Sequence, residues 1–542
     1  MSKSNIVRGT MMLTGANYIS KVLGILYVIP FQMLVGSVGG ALYSYAYNPY
    51  QIFISISTLG IPLAMSKFVA KYDALKDYRT KEAMFKSGLI FMTITGLVSF
   101  LIMFFSAEFL ANMFLPNDSY ENTVEDAKFV IQMVSFALLI IPPMSLVRGY
   151  FQGHGSMGPS AISIVCEQVV RILFLLIAGY IILQVLDGTV KLAVGFAAFA
   201  AFVGALASSV VLGGFYKKRR PYIEKELKNS RTDTPTISKK QMYRELLAYA
   251  GPFILVGIAT PLYQLIDQLT FNRAMGNINL EEISESVLSV ILVYGHKIVI
   301  IPVTIATALS LALLPAMTRA FTDKNKLQYN SYINQALLMI LALILPASVG
   351  LSILGTEAYG TLYNAQEAYD FAGEIMSYYA PTALFFALFT VSASMLQGIN
   401  QQNFAVVSLG IGLLIKLICN VPFIYLFEGK GAVLATSFAV FAASFINLWW
   451  LYRKTRFDVR RLLKVSLLIV ALTVIMAIIV FITKWLIGLP FGEEPSKIKF
   501  IAQSFGSVIV GAYVYLWMAF KMTLLERLFG SRVNRFSKIF FS

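Results

Sequence analysis

Long apolar runs separated by short polar segments dominate this chain. A helix needs about 20 residues to cross a hydrocarbon core of roughly 30 Å. Runs of that length occur fourteen times, at 9–36, 41–66, 87–111, 127–148, 160–184, 190–215, 246–271, 286–317, 332–355, 372–396, 404–427, 431–452, 463–485 and 500–520. The pattern predicts an all-α polytopic membrane protein with fourteen transmembrane helices.

The composition agrees with this interpretation. The 542 residues are 57% hydrophobic and 13% charged, and the mean hydropathy is +0.71, outside the range of soluble globular proteins. A net charge of +16 would suit a nucleic-acid partner. The basic residues are instead grouped in short segments between apolar runs, as in membrane proteins that face anionic lipid. We therefore expect contact with membrane lipids and no nucleic-acid partner.

The distribution of basic residues predicts the orientation. Segments on the N-terminal side of the membrane hold 33 Lys and Arg residues, and segments on the opposite side hold 7. Because cytoplasmic segments carry the excess of positive charge, we expect both termini to lie in the cytoplasm and the protein to lie in the cell membrane. The largest basic segment, 216–244, contains KKRRPYIEKELKNSRTDTPTISKK and is predicted to be a cytoplasmic linker.

Two short motifs recur on either side of this linker. YFQG at 150–153 matches MLQG at 395–398, and Met-Ser-Lys at 65–67 matches Met-Thr-Arg at 317–319. Six predicted helices in each half make the repeats parallel, with a ligand site expected at their interface. The predicted domains are an N-lobe at 1–215, the linker at 216–244, a C-lobe at 245–453, and two appended helices with a cytoplasmic tail at 454–542.

Four basic residues fall inside the apolar runs: Lys21, Arg171, Lys297 and Lys416. A charge that faces lipid at the bilayer centre costs on the order of 3 kcal/mol or more. We therefore expect these side chains to line a central cavity that receives an anion. Asn17 lies one turn before Lys21 on the same helical face, and Lys297 has no acidic residue one turn away.

The residues around two of these cations leave an alternative open. Glu167 precedes Arg171 by four residues, in the orientation that favours a helical ion pair. Arg171 is then either cavity-lining or neutralised by Glu167. Lys416 has no acidic residue at the equivalent position and has Asn420 one turn later.

One carboxylate inside an apolar run has two possible roles. Asp267, between Gln264 and Gln268, is a candidate counter-ion to Lys21 or Lys297, or a ligand for a coupling ion, as is Glu167. If Asp267 is the counter-ion, the lysine that pairs with it has a structural role and does not bind a ligand.

No enzyme motif is visible. The chain has no nucleotide-binding loop, no zinc-protease helix and no nucleophile elbow. Two histidines and two cysteines leave too few ligands for a transition-metal site, and His154 is expected to be solvated in a loop. We expect a transporter without metal or cofactor, driven by the membrane potential or by a Na⁺ or H⁺ gradient.

The segment RGYFQGHGSMGPSAISIVCEQVVRI at 148–172 resembles the polysaccharide-biosynthesis branch of the MOP exporter superfamily. Within that branch the likeness is greatest to the MurJ-type lipid II flippases of Gram-positive bacteria and the related YtgP and SpoVB proteins. The likeness extends over essentially the whole chain, including the basic linker and the two appended helices.

The resemblance implies a V-shaped pair of lobes that moves an undecaprenyl-pyrophosphate-linked precursor by alternating access. It implies cavity cations in helices one and eight, which correspond here to Lys21 and Lys297. It also implies a hydrophobic groove for the lipid tail beside helices thirteen and fourteen.

The function that we expect is translocation of lipid II, the peptidoglycan precursor, from the inner to the outer leaflet, alone or with cell-wall synthesis enzymes. The alternatives are transport of another polyprenyl-linked glycan, such as a teichoic acid or capsule precursor, and a MATE-like drug or cation antiporter. A scaffold for cell-wall enzymes is a further alternative, but it gives the deep charges no purpose.

Overall fold

The computed structural model describes residues 3–58, 61–115, 120–230, 257–492 and 494–529. Every element within these ranges is helical. The chain divides into two compact units, Met1–Asn272 and Arg273–Ser542. Each unit is built from membrane-length helices and shorter helical segments.

The first unit contains nine helices among its described residues and most of a tenth. Their bounds are α1 Lys3–Leu26, α2 Val28–Thr58, α3 Ile61–Ala74, α4 Tyr78–Phe105, α5 Ala107–Phe114, α6 Val124–Ser135, α7 Ala137–Gly153, α8 Met157–Tyr180, α9 Val190–Lys228 and α10 Ala259–Gly276. A π-helical turn, Ile181–Val185, extends α8.

The second unit holds the remaining helices. Their bounds are α11 Glu281–Ser289, α12 Gly295–Thr322, α13 Lys326–Ile353, α14 Gly355–Leu362, α15 Ala365–Glu367, α16 Gly373–Tyr379, α17 Thr382–Gly398, α18 Gln402–Phe427, α19 Gly429–Thr455, α20 Val459–Gly488, α21 Lys497–Lys521 and α22 Leu524–Phe529. Further π-helical turns join α11 to α12 at Val290–Tyr294 and α15 to α16 at Ala368–Ala372, and a 3₁₀ turn follows α20 at Leu489–Phe491.

Twelve segments of the described chain are long and apolar enough to span a membrane. One of them, Met11–Thr58, is 48 residues long and contains Gly36 with a φ of +66°. Because a side chain rarely adopts this conformation, glycine marks a break in the helix, and it lies where predicted helices one and two meet. Predicted helix seven, 246–271, begins outside the described residues. Twelve segments are therefore consistent with fourteen crossings.

The two repeated sequence motifs meet in each unit. A Cβ atom on Gly153 would lie 2.6 Å from the carbonyl oxygen of Ser66 in α3. A Cβ atom on Gly398 would lie 2.7 Å from Cβ of Met317 in α12. In both units, the glycine that ends one helix thus allows close approach of the helix that carries the other motif. The sequence repeat corresponds to a repeated packing contact.

The division between the units falls within α10 and not at the predicted linker. Gln268 accepts a hydrogen bond from Asn48 at 2.9 Å. The Asn272 amide nitrogen donates to the Tyr45 hydroxyl at 2.7 Å. These contacts attach residues 259–272, which the sequence assigned to the C-lobe, to α2 of the first unit.

The start of the predicted linker is helical. Residues 216–228 continue α9, and residues 231–244 lie outside the described ranges. Glu226 in this extension accepts from Lys81 at 2.8 Å, and Asp73 accepts from the same ammonium at 2.8 Å. Because Lys81 is 1% exposed, this ion-pair network attaches the end of α9 to α3 and α4.

The two helices outside the repeat pack within the second unit. An apolar cluster joins α20 and α21 to α13 and includes Leu338, Ile469 and Met476. The hydroxyl of Tyr515 in α21 donates to the carbonyl of Ala342 in α13 at 2.7 Å. The predicted helices thirteen and fourteen thus belong to the packed core of this unit.

Candidate functional site

Lys21 and Asn17 lie on an open face of α1. Both side chains are exposed, and Lys21 lies about 15 Å along the helix from Met11, where the spanning segment begins. One turn further, Gly24 is close to α8, since a Cβ atom there would lie 3.3 Å from Nε2 of Gln168. α1 therefore presents a cation and an amide on an exposed face, and their role in lining a central cavity stays a prediction.

Arg171 is held by tyrosines of α2. Its Nη2 donates to the Tyr43 hydroxyl at 3.1 Å, and its guanidinium lies 5.2 Å from the ring centroid of Tyr47. The rings of Tyr43 and Tyr47 stack with centroids 5.1 Å apart. A guanidinium over a tyrosine face gains a cation–π attraction. These contacts fix the orientation of the Arg171 guanidinium, and the side chain is half-buried.

Glu167 has a different partner from the one that the sequence suggests. Its Oε2 accepts from Nη2 of Arg148 at 2.6 Å, and these side chains are 23% and 16% exposed. Arg148, on α7, also donates to Ser163 at 2.9 Å and to Ser208 at 2.8 Å. Of the two alternatives for Arg171, the one in which Glu167 pairs with it is therefore not observed, because the carboxylate instead links α7 to α8.

Asp267 is buried, with 2% of its surface exposed. Its neighbour Gln268 donates to the carbonyl of Ser44 at 2.7 Å, so α10 is fixed to α2 by hydrogen bonds beside this carboxylate. Asp267 and Lys21 belong to the first unit, and Lys297 belongs to the second. The role of Asp267 as counter-ion or coupling-ion ligand stays a prediction.

Lys297 lies directly after a π-helical turn. The turn spans Val290–Tyr294, and Lys297 is the third residue of α12 and partly exposed. The ring of His296 is held by a 2.8 Å hydrogen bond between Nδ1 and the Tyr379 hydroxyl. Single π-helical turns inside α-helices are frequent at functional sites. The sequence gives no signal for this turn, because its apolar residues fit either kind of helix.

Lys416 does not line a cavity in this structure, contrary to the prediction. The side chain is fully buried. Its ammonium donates to Asn420 at 2.9 Å, to the carbonyl of Ala432 at 2.8 Å and to Thr436 at 2.7 Å. Three acceptors match the three protons of an ammonium. Lys416 therefore joins α18 to α19 and does not reach open space.

An apolar cavity of about 560 Å³ lies beside Lys297 in the second unit. Its walls come from α12, α13, α20 and α21 and include Ile298, Pro302, Pro346 and Val508. Ile298, which lines this cavity, directly follows Lys297 in the chain. Because adjacent residues of an α-helix point about 100° apart, Lys297 itself is outside the lining of the cavity.

Two family models match the chain. The model described as "Polysaccharide biosynthesis protein" matches residues 6–321. The MatE model matches residues 252–426. Together they cover parts of both units.

Among curated proteins, the chain is 42% identical over 535 residues to "Lipid II flippase MurJ" of Bacillus subtilis (strain 168), with 98% of each chain covered. It is 26% identical to "Stage V sporulation protein B" of the same organism, with 77% of each chain covered. The first similarity extends along both chains almost from end to end.

Among solved structures, the chain is similar to "Lipid II flippase MurJ, inward closed conformation", with a TM-score of 0.65 and 16% identity. The match covers 95% of this chain and 99% of that one. An inward-facing MATE-family multidrug transporter of the MOP superfamily matches with a TM-score of 0.58 and 14% identity, over 82% of this chain and 99% of that one. At such identities the likeness concerns the fold alone.

Proposed function

We propose that this chain, which belongs to the polysaccharide biosynthesis protein family of the MOP exporter superfamily, is a flippase that carries lipid II from the inner to the outer leaflet. The observation that carries this conclusion is the 42% identity to a curated lipid II flippase over 98% of both chains. The chain is accordingly a multi-pass membrane transporter and not an enzyme.

Two features of the second unit match the two chemically different parts of such a substrate. The pyrophosphate of lipid II contacts Lys297, where charge-assisted hydrogen bonds gain strength from a low dielectric. The polyprenyl tail occupies the adjoining 560 Å³ cavity, where burial of its methylene groups is favourable. The position of Ile298, one residue after Lys297, makes these two contacts compatible with one molecule.

The first unit contributes polar groups from α1 and α8. Lys21 and Asn17 are exposed on α1, and Arg171 is fixed on its tyrosines. Each is a candidate contact for the pyrophosphate or the sugars of lipid II as it crosses the membrane. Lys416 has no part in this contact, because its protons are engaged within the second unit.

The energy source is the membrane potential or a Na⁺ or H⁺ gradient, with Asp267 as the candidate counter-ion or coupling-ion ligand. We further propose that both termini lie in the cytoplasm, so that the exposed basic end of α9 faces anionic lipid. The chain works alone or beside cell-wall synthesis enzymes.

Reconstitution in liposomes tests this function. Fluorescent lipid II, a polyprenyl-linked teichoic acid precursor and a cationic dye are offered in parallel. We expect protein-dependent movement of lipid II between leaflets and no uptake of the dye. Movement of the teichoic precursor without lipid II would favour the other glycan function. Movement of the dye alone would favour an antiporter.

The same liposomes test the energy source. An imposed potential, a Na⁺ gradient and a pH gradient are applied one at a time. The force that accelerates lipid II movement in the intact protein identifies the driver, and loss of that acceleration in Asp267→Asn would assign the carboxylate to coupling.

A further inference from the structure

A second pocket lies in the second unit, towards the starts of α13 and α20. Its volume is about 610 Å³. It lies on residues 331–338 of α13, whereas the apolar cavity begins at Ala342 of that helix. The last wall comes from α22. The pocket is therefore separate from the apolar cavity beside Lys297.

The pocket is strongly basic. Arg460, Arg461, Lys464 and Arg527 line it together with one carboxylate, Asp458. The Asp458 carboxylate accepts from the backbone nitrogen of Arg461 at 3.0 Å as the cap of α20. Within the described ranges, none of the four basic side chains forms an ion pair with a carboxylate. Four cations at one concave surface produce a positive potential that favours binding of an anion from outside these residues.

A buried side-chain amide in the same wall indicates that the ligand also carries a hydrogen-bond donor. Asn334 is 9% exposed, and its Oδ1 has no hydrogen-bond partner among the described residues. A buried acceptor without a donor costs about 1–3 kcal/mol. A hydroxyl group on the ligand would donate to this oxygen. The pocket thus fits a molecule with both a negative charge and a hydroxyl donor.

The surface beside the pocket is apolar. Leu463 and Leu467 are 63% and 72% exposed. They lie three and seven residues after Arg460, hence on the same helical face. Both belong to a segment long and apolar enough to span a membrane, Val459–Phe491. An anion held at this pocket would have hydrocarbon next to these leucines, which favours an amphiphile over a water-soluble phosphate.

We propose that this pocket binds the headgroup of an anionic membrane phospholipid of the phosphatidylglycerol kind. The phosphodiester contacts Arg460, Lys464 and Arg527, and a glycerol hydroxyl donates to Asn334. The acyl chains lie along the exposed leucines of α20. The site is independent of lipid II transport, because it uses none of the residues assigned to that substrate.

Native mass spectrometry of the purified full chain tests the site, with phosphatidylglycerol, phosphatidylcholine, phosphatidic acid and inorganic phosphate as probes. We expect phosphatidylglycerol to bind more tightly than phosphatidylcholine. The triple variant Arg460→Gln, Lys464→Gln and Arg527→Gln should weaken phosphatidylglycerol binding about tenfold, since three partly screened contacts are lost. All three side chains are exposed, so the variant should stay folded.

A matched control removes the same charge elsewhere. Lys217→Gln, Lys218→Gln and Lys225→Gln neutralise exposed residues of α9 and should leave the affinity unchanged. The hydroxyl contact has its own test, because Asn334→Leu should weaken phosphatidylglycerol binding and leave phosphatidic acid, which lacks the headgroup glycerol, unaffected.

Two results would overturn the proposal. An equal loss in the α9 control would mean that the lipid responds to overall charge and not to this pocket. Inorganic phosphate that binds at the pocket in place of phosphatidylglycerol would mean a water-soluble ligand. Should the triple variant aggregate, the single Arg527→Gln on the short terminal helix gives the same comparison with a smaller expected loss.

Discussion

Glu167 binds Arg148 at 2.6 Å, although Arg171 lies one turn after Glu167 on the same helix. The spacing of four residues allows a pair with Arg171 but does not require it. The Arg171 guanidinium instead contacts Tyr43 and Tyr47. The carboxylate thus joins α7 to α8 of the first unit, and the neighbouring cation contacts tyrosines of α2 instead of Glu167.

A double-mutant cycle should show which of the two arginines, Arg148 or Arg171, interacts with Glu167. Glu167→Gln combined with Arg148→Gln should show a coupling free energy of about 1.5–3 kcal/mol, the value of a hydrogen bond between charged groups. Glu167→Gln combined with Arg171→Gln should give additive losses. Thermal unfolding of the purified variants in detergent measures both coupling free energies. Equal coupling with Arg171 would restore the helical pair that the sequence suggests.

Lys297 and Lys416 should behave in opposite ways when neutralised. Lys297→Gln should keep normal abundance and lose most lipid II movement, because a partly exposed cation is removed from the ligand surface. Lys297→Arg keeps the charge and should retain part of the activity. Proteoliposome transport, normalised to the amount of folded protein, is the measurement.

Lys416→Met, which removes the donor altogether, is the comparison for that experiment. It leaves buried acceptors on α18 and α19 without their donor, at about 1–3 kcal/mol for each group. We expect lower abundance and a lower unfolding temperature, with nearly normal transport for each folded molecule. Full transport by Lys297→Ala would remove Lys297 from the binding surface.

The repeated glycine contacts predict matched losses of stability. Gly153→Ala and Gly398→Ala each place a methyl group against a neighbouring helix, and overpacking of this kind typically costs about 1–3 kcal/mol. Gly158→Ala and Gly410→Ala are controls, since no atom lies within 4 Å of a Cβ there. Unfolding temperatures that fall equally for test and control glycines would contradict the close approach.

His154 is half-buried against Tyr150 and not solvated in a loop as the sequence predicted, so it should make the stability depend on pH. Burial, with smaller contributions from Lys81 and Arg219, lowers the pKa of His154 from 6.5 to about 4. The unfolded chain then binds more protons than the folded one between these values, so the free energy of unfolding falls as the pH drops from about 6.5 to 4. Unfolding temperatures across this range should decline more steeply in the intact protein than in His154→Gln.

Cysteine labelling tests the orientation. In a background with Cys166→Ser and Cys419→Ser, Asn229→Cys follows the end of α9, and Glu121→Cys precedes α6. The count of basic residues predicts that a membrane-impermeant thiol reagent labels the first from the cytoplasmic side and the second from outside. Reversed labelling would reverse the direction of transport that we propose.

The membrane segments could be predicted from the sequence, because twenty consecutive apolar residues are a local signal. The assignment of Lys21 to a cavity rests on the cost of a deep charge and stays a prediction, although its side chain is exposed. The repeat was also visible, and its two motifs lie in contact within each unit. These predictions needed no knowledge of which helices are neighbours.

The predictions that depended on knowing which helices are in contact were wrong or incomplete. Lys416 donates hydrogen bonds to Ala432 and Thr436 on the next helix, and no periodicity within α18 reveals those acceptors. Glu167 finds Arg148 across a helix pair. The basic pocket combines residues separated by about 200 positions, between Asn334 and Arg527, so neither segment by itself suggests a site.

The π-helical turn at Val290–Tyr294 has a consequence for comparing this chain with its relatives. Such a turn contains one residue more than an α-helical turn, and each residue of an α-helix rotates the side-chain direction by about 100°. Each residue of the wider turn rotates the chain by less than 100°, so the turn absorbs its extra residue and α12 continues with Lys297 on nearly the face that an uninterrupted helix would give it. A relative that lacks the extra residue would therefore keep the aligned lysine on that face, whereas a residue added to a purely α-helical stretch would rotate it by about 100°.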